Sequence, residues 1–284
     1  MIAITGASGN LGKATIQFLS QQVSPTNIVA IVRNPERVHD FIKQGIIVRQ
    51  ADYNNYETLL EAFKGVEKAL HISTIGVDLK TAKQQEKNVV NALLENNVKH
   101  IVYTSMVQTQ ANRIFEGTKT SYETEKLIKG TKIPYSFLRN SMYMEAIPEL
   151  IGDALQSGEI RYPSGEGKIS FVSRMDIAEA IVKVLTESTH DNQIYEITGN
   201  KAYSFDELAK LIFTEKGIPV QHSDISEEFF RKELTSYRVP PEIVNLLVSM
   251  ANGIKIGEFS YVDNTLEKLL GRKPLVLNEF IKIF

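Results

Sequence analysis

Met1-Ile-Ala-Ile-Thr-Gly-Ala-Ser-Gly-Asn-Leu-Gly-Lys-Ala-Thr-Ile-Gln-Phe-Leu19 is the stretch on which the reading of this chain turns. Met1 to Thr5 is short and apolar, as a buried parallel strand requires. Gly6, Gly9 and Gly12 then recur at a Gly-x-x-Gly-x-x-Gly spacing, with Ala7, Ser8, Asn10 and Leu11 between them. Leu11, Ile16 and Leu19 continue at helical spacing and predict an amphipathic helix. A strand, a glycine turn and a helix N-terminus together hold a pyrophosphate. Small residues let the backbone approach it, and the free N–H groups and dipole of the helix favour its charge. Three glycines alone are a weak signal and fit a tight turn with no ligand; the flanking strand and helix favour a dinucleotide.

Outward from this stretch, strand and helix patterns alternate. Residues 27–32 are apolar and β-branched, Asn34-Pro35 opens a helix, and Gly45 closes it before a strand at 46–48. A helix is predicted over 54–63 with Leu59, Leu60 and Phe63 inward, then a strand over 66–73. A long helix over 81–97 should bury Val89, Val90, Leu93 and Leu94. Residues 99–105 and 135–138 read as strands on either side of a helix at 122–129. This rhythm predicts an α/β fold, a Rossmann-type doubly wound parallel sheet with helices on both faces. It weakens after Asn140, where prolines and glycines cluster; a helix over 175–186 and a strand over 193–198 return to the sheet, and the chain beyond Ser204 is mostly helical, with a short strand near Val220. We therefore expect a nucleotide-binding domain over residues 1–145, with return elements around 170–200, and a smaller substrate-binding region over 146–284.

Composition narrows the function. The net charge of −2 gives no electrostatic case for nucleic acid or an anionic membrane as partner. The absence of cysteine excludes disulfides, thiolate nucleophiles and Cys-type zinc sites, and the histidines His39, His71, His100, His190 and His222 lack metal-ligand spacing, so no metal is expected. A strand starting at Met1 leaves no room for a signal peptide, and no apolar run approaches the length of a span, so a cytoplasmic protein is expected.

Several residues carry chemistry. Arg33 ends the second strand, where an NAD site usually has an acidic residue; its guanidinium suits a 2′-phosphate, with Arg37 one helical turn on, and this favours NADP(H) over a solvated arginine pair. Asp52 either accepts from the adenine amine or caps the helix at Asn55. Ser73, Thr74 and Ile75 close the fourth strand, and Thr104 and Ser105 the fifth, where cofactors of open sheets lie. Tyr122 and Lys126, at i and i+4, share one helix face. They predict a catalytic pair in which Lys126 holds a ribose hydroxyl, Tyr122 protonates a carbonyl oxygen and Ser105 orients it. The plainer alternative is an exposed charged face with Glu123, Glu125 and Lys129. Asn140, Ser141 and Met142 should lie near the nicotinamide, and Arg174 either closes over the site or pairs with Asp176.

Gly6-Ala-Ser-Gly-Asn-Leu-Gly12, Ala30-Ile-Val-Arg-Asn-Pro35, Val48-Arg-Gln-Ala-Asp-Tyr53, Tyr103-Thr-Ser105, Glu123-Thr-Glu-Lys126 and Leu138-Arg-Asn140 together resemble the NmrA-like atypical short-chain dehydrogenases, and among them the bacterial NADPH:quinone oxidoreductases of type 2. The resemblance continues through Gly165-Glu-Gly-Lys168 and Tyr195-Glu-Ile-Thr-Gly199. It implies NADPH as cofactor and two-electron reduction of a small-molecule quinone or other carbonyl without a flavin. It also implies cofactor contacts at Gly6 to Leu11, Arg33, Ser73 to Ile75, Phe137, Leu138, Arg139, Asn140, Ser141, Met142 and Arg174. Relatives of this type often keep the lysine without the tyrosine, and Met142 stands where a tryptophan is expected. Some NmrA-like proteins bind NADP(H) and report redox state to a partner without turnover, which is the alternative reading.

Overall fold

A computed structural model of the chain describes residues 1–74 and 78–284. The expected contact at Ile75 lies outside the described residues. The first half alternates as read: β1 Ile2–Ile4, α1 Asn10–Leu19, β2 Ile28–Val32, α2 His39–Lys43, β3 Ile47–Gln50, α3 Tyr56–Ala62, β4 Lys68–His71, α4 Leu79–Glu95, β5 His100–Met106, α5 Glu116–Thr131 and β6 Tyr135–Asn140. The second half adds α6 Ile147–Ile151, α7 Ala154–Ser157, β7 Glu159–Arg161, α8 Arg174–Thr186, β8 Gln193–Ile197, α9 Phe205–Lys216, β9 Gln221–Ser223, α10 Glu227–Ser236, α11 Pro241–Lys255, α12 Thr265–Leu270 and α13 Leu277–Ile283.

The main sheet runs β3-β2-β1-β4-β5-β6-β8, and every pairing in it is parallel. The central strands β1, β2, β4, β5 and β6 are largely buried on both faces, whereas the edge strands β3 and β8 are partly exposed. Leu11, Ile16 and Leu19 of α1 pack with Ile177, Ile181 and Leu185 of α8 on one side. Leu59 of α3, Val89 and Leu93 of α4 and Ile128 of α5 pack on the other. Each such side chain taken from water contributes about 1.5–3 kcal/mol before conformational entropy is subtracted. The strand order reverses between β1 and β4, and open α/β sheets bind ligands at that crevice, beyond the carboxyl ends of the strands.

A third apolar cluster holds the second half together. Phe205, Phe259, Leu277 and Ile281 pack with Val107 and Phe115, which come from the loop after β5. β7 and β9 form a separate parallel pair.

Two local expectations need correction. Leu94 is 43% exposed, because α4 turns its Val89, Val90 and Leu93 stripe inward and position 94 lies at the edge of that stripe. Asp52 does not cap the following helix. Asn55 is the N-cap and accepts from Thr58 N, whereas Asp52 Oδ1 accepts from Asn54 N at 2.8 Å in a local turn.

Candidate functional site

The glycine turn is shaped as the sequence requires. Gly6 has φ +58°, a left-handed conformation that disfavours any side chain. Gly9 N–H donates to Gly6 O at 2.9 Å and closes the turn. A Cβ on Gly12 would stand 2.5 Å from Gly6 O and 2.7 Å from Ala7 Cα, so only glycine lets α1 start this close to the turn. No side chain caps α1. Its first-turn N–H groups therefore face outward without an intrahelical partner, beside the exposed backbone of Gly6 and Gly9. Underneath, Thr5 Oγ1 accepts from Tyr53 O–H at 2.5 Å and from Ile72 N–H at 3.0 Å, which ties the end of β1 to the end of β4.

Arg33 stands exposed just past β2. Its carbonyl accepts from Gln50 Nε2, but its guanidinium makes no hydrogen bond or ion pair among the described residues. Asp52, partly exposed past β3, is engaged with Asn54 through one of its two oxygens.

Past β4, Ser73 N–H donates to Thr104 Oγ1 at 2.9 Å, and Thr74 N–H donates to Glu86 Oε1 at 2.7 Å. The other oxygen of this buried glutamate meets His71 Nε2 at 2.7 Å. Glu86 of α4 thus holds Thr74 and His71 at the end of β4.

A cavity of about 870 Å³ opens from this loop. Ser73, Thr74, Ser105, Asn140, Met142 and Arg174 line its polar end. Phe115, Phe230, Leu246, Met250 and Phe259 line an apolar end built by the second half of the chain. Five buried polar atoms of residues on its wall have no hydrogen-bond partner: Thr74 Oγ1, Tyr103 OH, Tyr162 OH, and both Oδ1 and Nδ2 of Asn140. Buried polar groups are almost always paired, so such a cluster marks a place where a ligand or water completes the bonding.

The structure brings together only part of the predicted catalytic set. Gly117, Thr120 and Ser121 are the α5 residues on the cavity wall. Tyr122 and Lys126 are not, because one helical residue rotates the side chain by about 100°. Tyr122 is half-buried and Lys126 exposed, with the ammonium 5.5 Å from the ring centroid on the outer face. Ser105 does line the cavity, but its Oγ donates to Glu125 Oε1 at 2.6 Å. Phe137 and Leu138 are fully buried in the two apolar layers and do not line the cavity. Arg139 is committed to Glu125 and Glu196. Ser141 Oγ accepts from Ser170 Oγ at 2.9 Å.

Arg174 does not pair with Asp176. Its guanidinium lies over the Tyr143 ring, 5.1 Å from the centroid, at the cavity, while Asp176 is taken by Arg272 at 2.7 Å. Burial raises the Tyr143 phenol above its usual range despite this cation. Sequence reasoning placed Tyr103 in a strand and stopped there. It lies two residues before Ser105, hence on the same face of β5, and that period was the available signal.

Comparison with known proteins follows the same lines. The NmrA-like family matches residues 1–281. The chain belongs to the NmrA-like family. This NmrA-like chain is 36% identical to Quinone oxidoreductase 2 of Escherichia coli over 282 residues, 99% of the chain and 97% of that protein. It is 24% identical, over 99% of its length and 97% of the other, to an NAD(P)H azoreductase of Xenophilus azovorans. The structure of the E. coli NADPH-dependent quinone oxidoreductase complexed with NADPH superposes with a TM-score of 0.93 at 35% identity, covering 99% of this chain and 98% of that one. The Citrobacter triphenylmethane reductase complexed with NADP(H) gives 0.93 at 36% identity, covering 99% of both chains. The NmrA-like architecture is therefore shared from end to end. No helix among the described residues is long and apolar enough to cross a membrane, and no group of metal-binding side chains is present among them.

Proposed function

We propose that this NmrA-like chain is an NADPH-dependent oxidoreductase that reduces a quinone by direct hydride transfer. The observation that carries the reading is the single cavity joining the polar end at Thr74, Asn140 and Arg174 to an apolar chamber at Phe230, Met250 and Phe259. A nicotinamide at the polar end and a flat apolar acceptor in the chamber would lie against each other.

The residues fit a dinucleotide. The Gly12 approach leaves no room for a Cβ, the first turn of α1 offers uncapped N–H groups to a pyrophosphate, and the unpartnered amide of Asn140 can take either polarity of a carboxamide. Arg33 would hold the 2′-phosphate. When bound, NADPH supplies a hydride. The protein's part is to orient ring and acceptor and to keep water out, and the apolar chamber does both. A quinone that has accepted hydride becomes an anion stabilised by its own aromatic ring, so the acceptor oxygen needs a hydrogen-bond donor more than a strong acid. The placement of Tyr122 on the outer face of α5 is consistent with that. A cytoplasmic location, a small-molecule substrate, no nucleic-acid partner and a substrate-binding role for residues 146–284 belong to the same reading. The relatives that carry names of reductases with NADPH support it.

The test is purified protein with NADPH and a panel of quinones, followed by nicotinamide absorbance, with NADH in parallel. Quinone-dependent oxidation faster with NADPH than with NADH is expected. Tight NADPH binding with no oxidation by any quinone or aldehyde would remove the enzyme reading.

A further inference from the structure

We propose that the Tyr103 hydroxyl, on the inner wall of the cavity, is the hydrogen-bond donor to the substrate oxygen that becomes negative as hydride arrives. The inference rests on the oxidoreductase reading above and assigns a catalytic residue that the sequence motifs did not single out.

Tyr103 sits in β5 with no exposed surface. The ring is fixed on two sides, tilted against His71 at 5.2 Å between centroids and edge-on to Phe137 at 6.1 Å. Its hydroxyl has no geometric hydrogen-bond partner, and the residue lines the cavity together with Thr74, Ser105 and Asn140. The Ser121 and Thr124 hydroxyls of α5 lie beside it and temper the rise in its ionisation range. Thr124 has turned its own proton to Thr120 O at 2.9 Å. A buried hydroxyl left unpaired is destabilising, and a rigid core position that keeps one beside a cavity is a prepared donor. Phe at this position would fill the same space and carry the same ring contacts, so packing alone does not call for the oxygen.

The surroundings keep the proton on the oxygen. Burial, and then the Glu86 carboxylate on α4 and the Glu125 carboxylate on α5, push the phenol well above its ordinary ionisation range. Tyr103 therefore acts as a neutral donor and not as an acid. In the step, the quinone gains a hydride with its electron pair and the nicotinamide is oxidised. The negative charge collects on the acceptor oxygen, which receives a hydrogen bond from Tyr103 and then a proton from water at the cavity mouth. Tyr103 keeps its own proton throughout.

The test uses the full chain and Tyr103→Phe, which removes the oxygen alone. Three readings are taken: thermal midpoint, NADPH dissociation constant from nicotinamide fluorescence, and quinone turnover. Turnover should fall about 10–100-fold with NADPH affinity within about twofold of wild type. A second arm needs no turnover. The NADP⁺-loaded protein is titrated with a nitrophenol at pH values below and above its ionisation. Tyr103→Phe should weaken nitrophenolate binding about tenfold and leave neutral nitrophenol unchanged. Unchanged turnover, equal nitrophenolate binding, or a loss confined to NADPH affinity each overturns the proposal, the last by assigning the hydroxyl to the cofactor. If the wild type oxidises no NADPH with any quinone, the quinone reading fails and the nitrophenolate comparison alone decides the role of Tyr103.

Discussion

Ser105 Oγ donates to Glu125 Oε1 at 2.6 Å, and the same carboxylate receives Arg139 Nε at 2.9 Å and Nη2 at 2.7 Å. Arg139 Nη1 continues to Glu196 Oε1 at 3.1 Å, and Glu196 Oε2 accepts from Gln108 N–H at 2.9 Å. One ion network therefore joins α5, β6 and β8 to the loop after β5, directly under the cavity wall. Burial lifts the Glu196 carboxyl above its ordinary range, even with this loop N–H and the Arg139 guanidinium beside it.

Removing the centre of this network should be costly. Glu125→Ala leaves a largely buried arginine short of its main partner and frees Ser105, and is expected to destabilise the fold by about 3 kcal/mol. Equilibrium urea unfolding measures it; a loss under about 1 kcal/mol would mean the network is solvated and contributes little.

Nucleotide choice should sit on Arg33. Arg33→Ala is expected to weaken NADPH binding roughly 10–100-fold, the size of a charge-assisted hydrogen bond, and to leave NADH nearly untouched. Fluorescence titration with both nucleotides reads this. Equal losses for the two would place the 2′-phosphate elsewhere.

Gly12→Ala puts a methyl against backbone on both sides, Gly6 O and Ala7 Cα, neither of which can rotate away. The overpacking should cost about 1–3 kcal/mol and displace the start of α1 from the turn. NADPH affinity should fall together with the thermal midpoint. A variant with native stability and native affinity would show that the turn can open at no cost.

Tyr122→Phe separates the two tyrosines. Because Tyr122 does not line the cavity, quinone turnover should stay within about twofold of wild type, against the larger loss expected for Tyr103→Phe. A collapse of turnover in Tyr122→Phe would restore the predicted Tyr122–Lys126 pair as the acid.

Acid stability should carry a signature from Glu207. The Ser204 backbone N–H, then Lys201 and Lys168, pull its carboxyl from 4.5 down to about 2. A depressed carboxyl stabilises the fold fully above its unfolded value and loses that contribution as pH falls through the folded one. The loss should therefore run from about pH 4.5 to about pH 2, and Glu207→Gln should flatten stability across that window. Solvent around this partly exposed side chain keeps the effect modest. An unfolding midpoint that falls as steeply in Glu207→Gln as in wild type would remove Glu207 from the account.

Much of the fold was legible because its rules are local. The apolar runs at Ile2–Ile4 and Ile28–Val32 can satisfy themselves only inside a sheet, and alternation with helices forces that sheet to be parallel. Gly45 and Gly65 end their helices with φ values of +81° and +73°, which the residue type alone foretold. The glycine turn after β1 was readable for the same reason: its geometry depends on residues within six positions of one another.

The site was legible only in outline. The sequence placed Thr74 and Asn140 near one another because strand ends gather at one edge of the sheet, and left Arg174 open between the site and Asp176. It could not say how far α5 is rotated. That rotation, set by which of its faces packs on α4 and β5, puts Ser121 on the cavity wall and Tyr122 outside it. Asp52 read equally well as an adenine contact or as the cap of the next helix, and the loop path gave the cap to Asn55. Arg174 and Asp176 are neighbours in sequence, yet Asp176 pairs with Arg272, which only the docking of the C-terminal helices brings near. The sequence by itself determined the elements, their parallel order and the phosphate turn, since these follow from periodicity and from backbone angles that few residues allow. The tertiary structure alone decided which polar groups remain unpaired, Tyr103 among them, because that depends on packing between segments far apart in the chain.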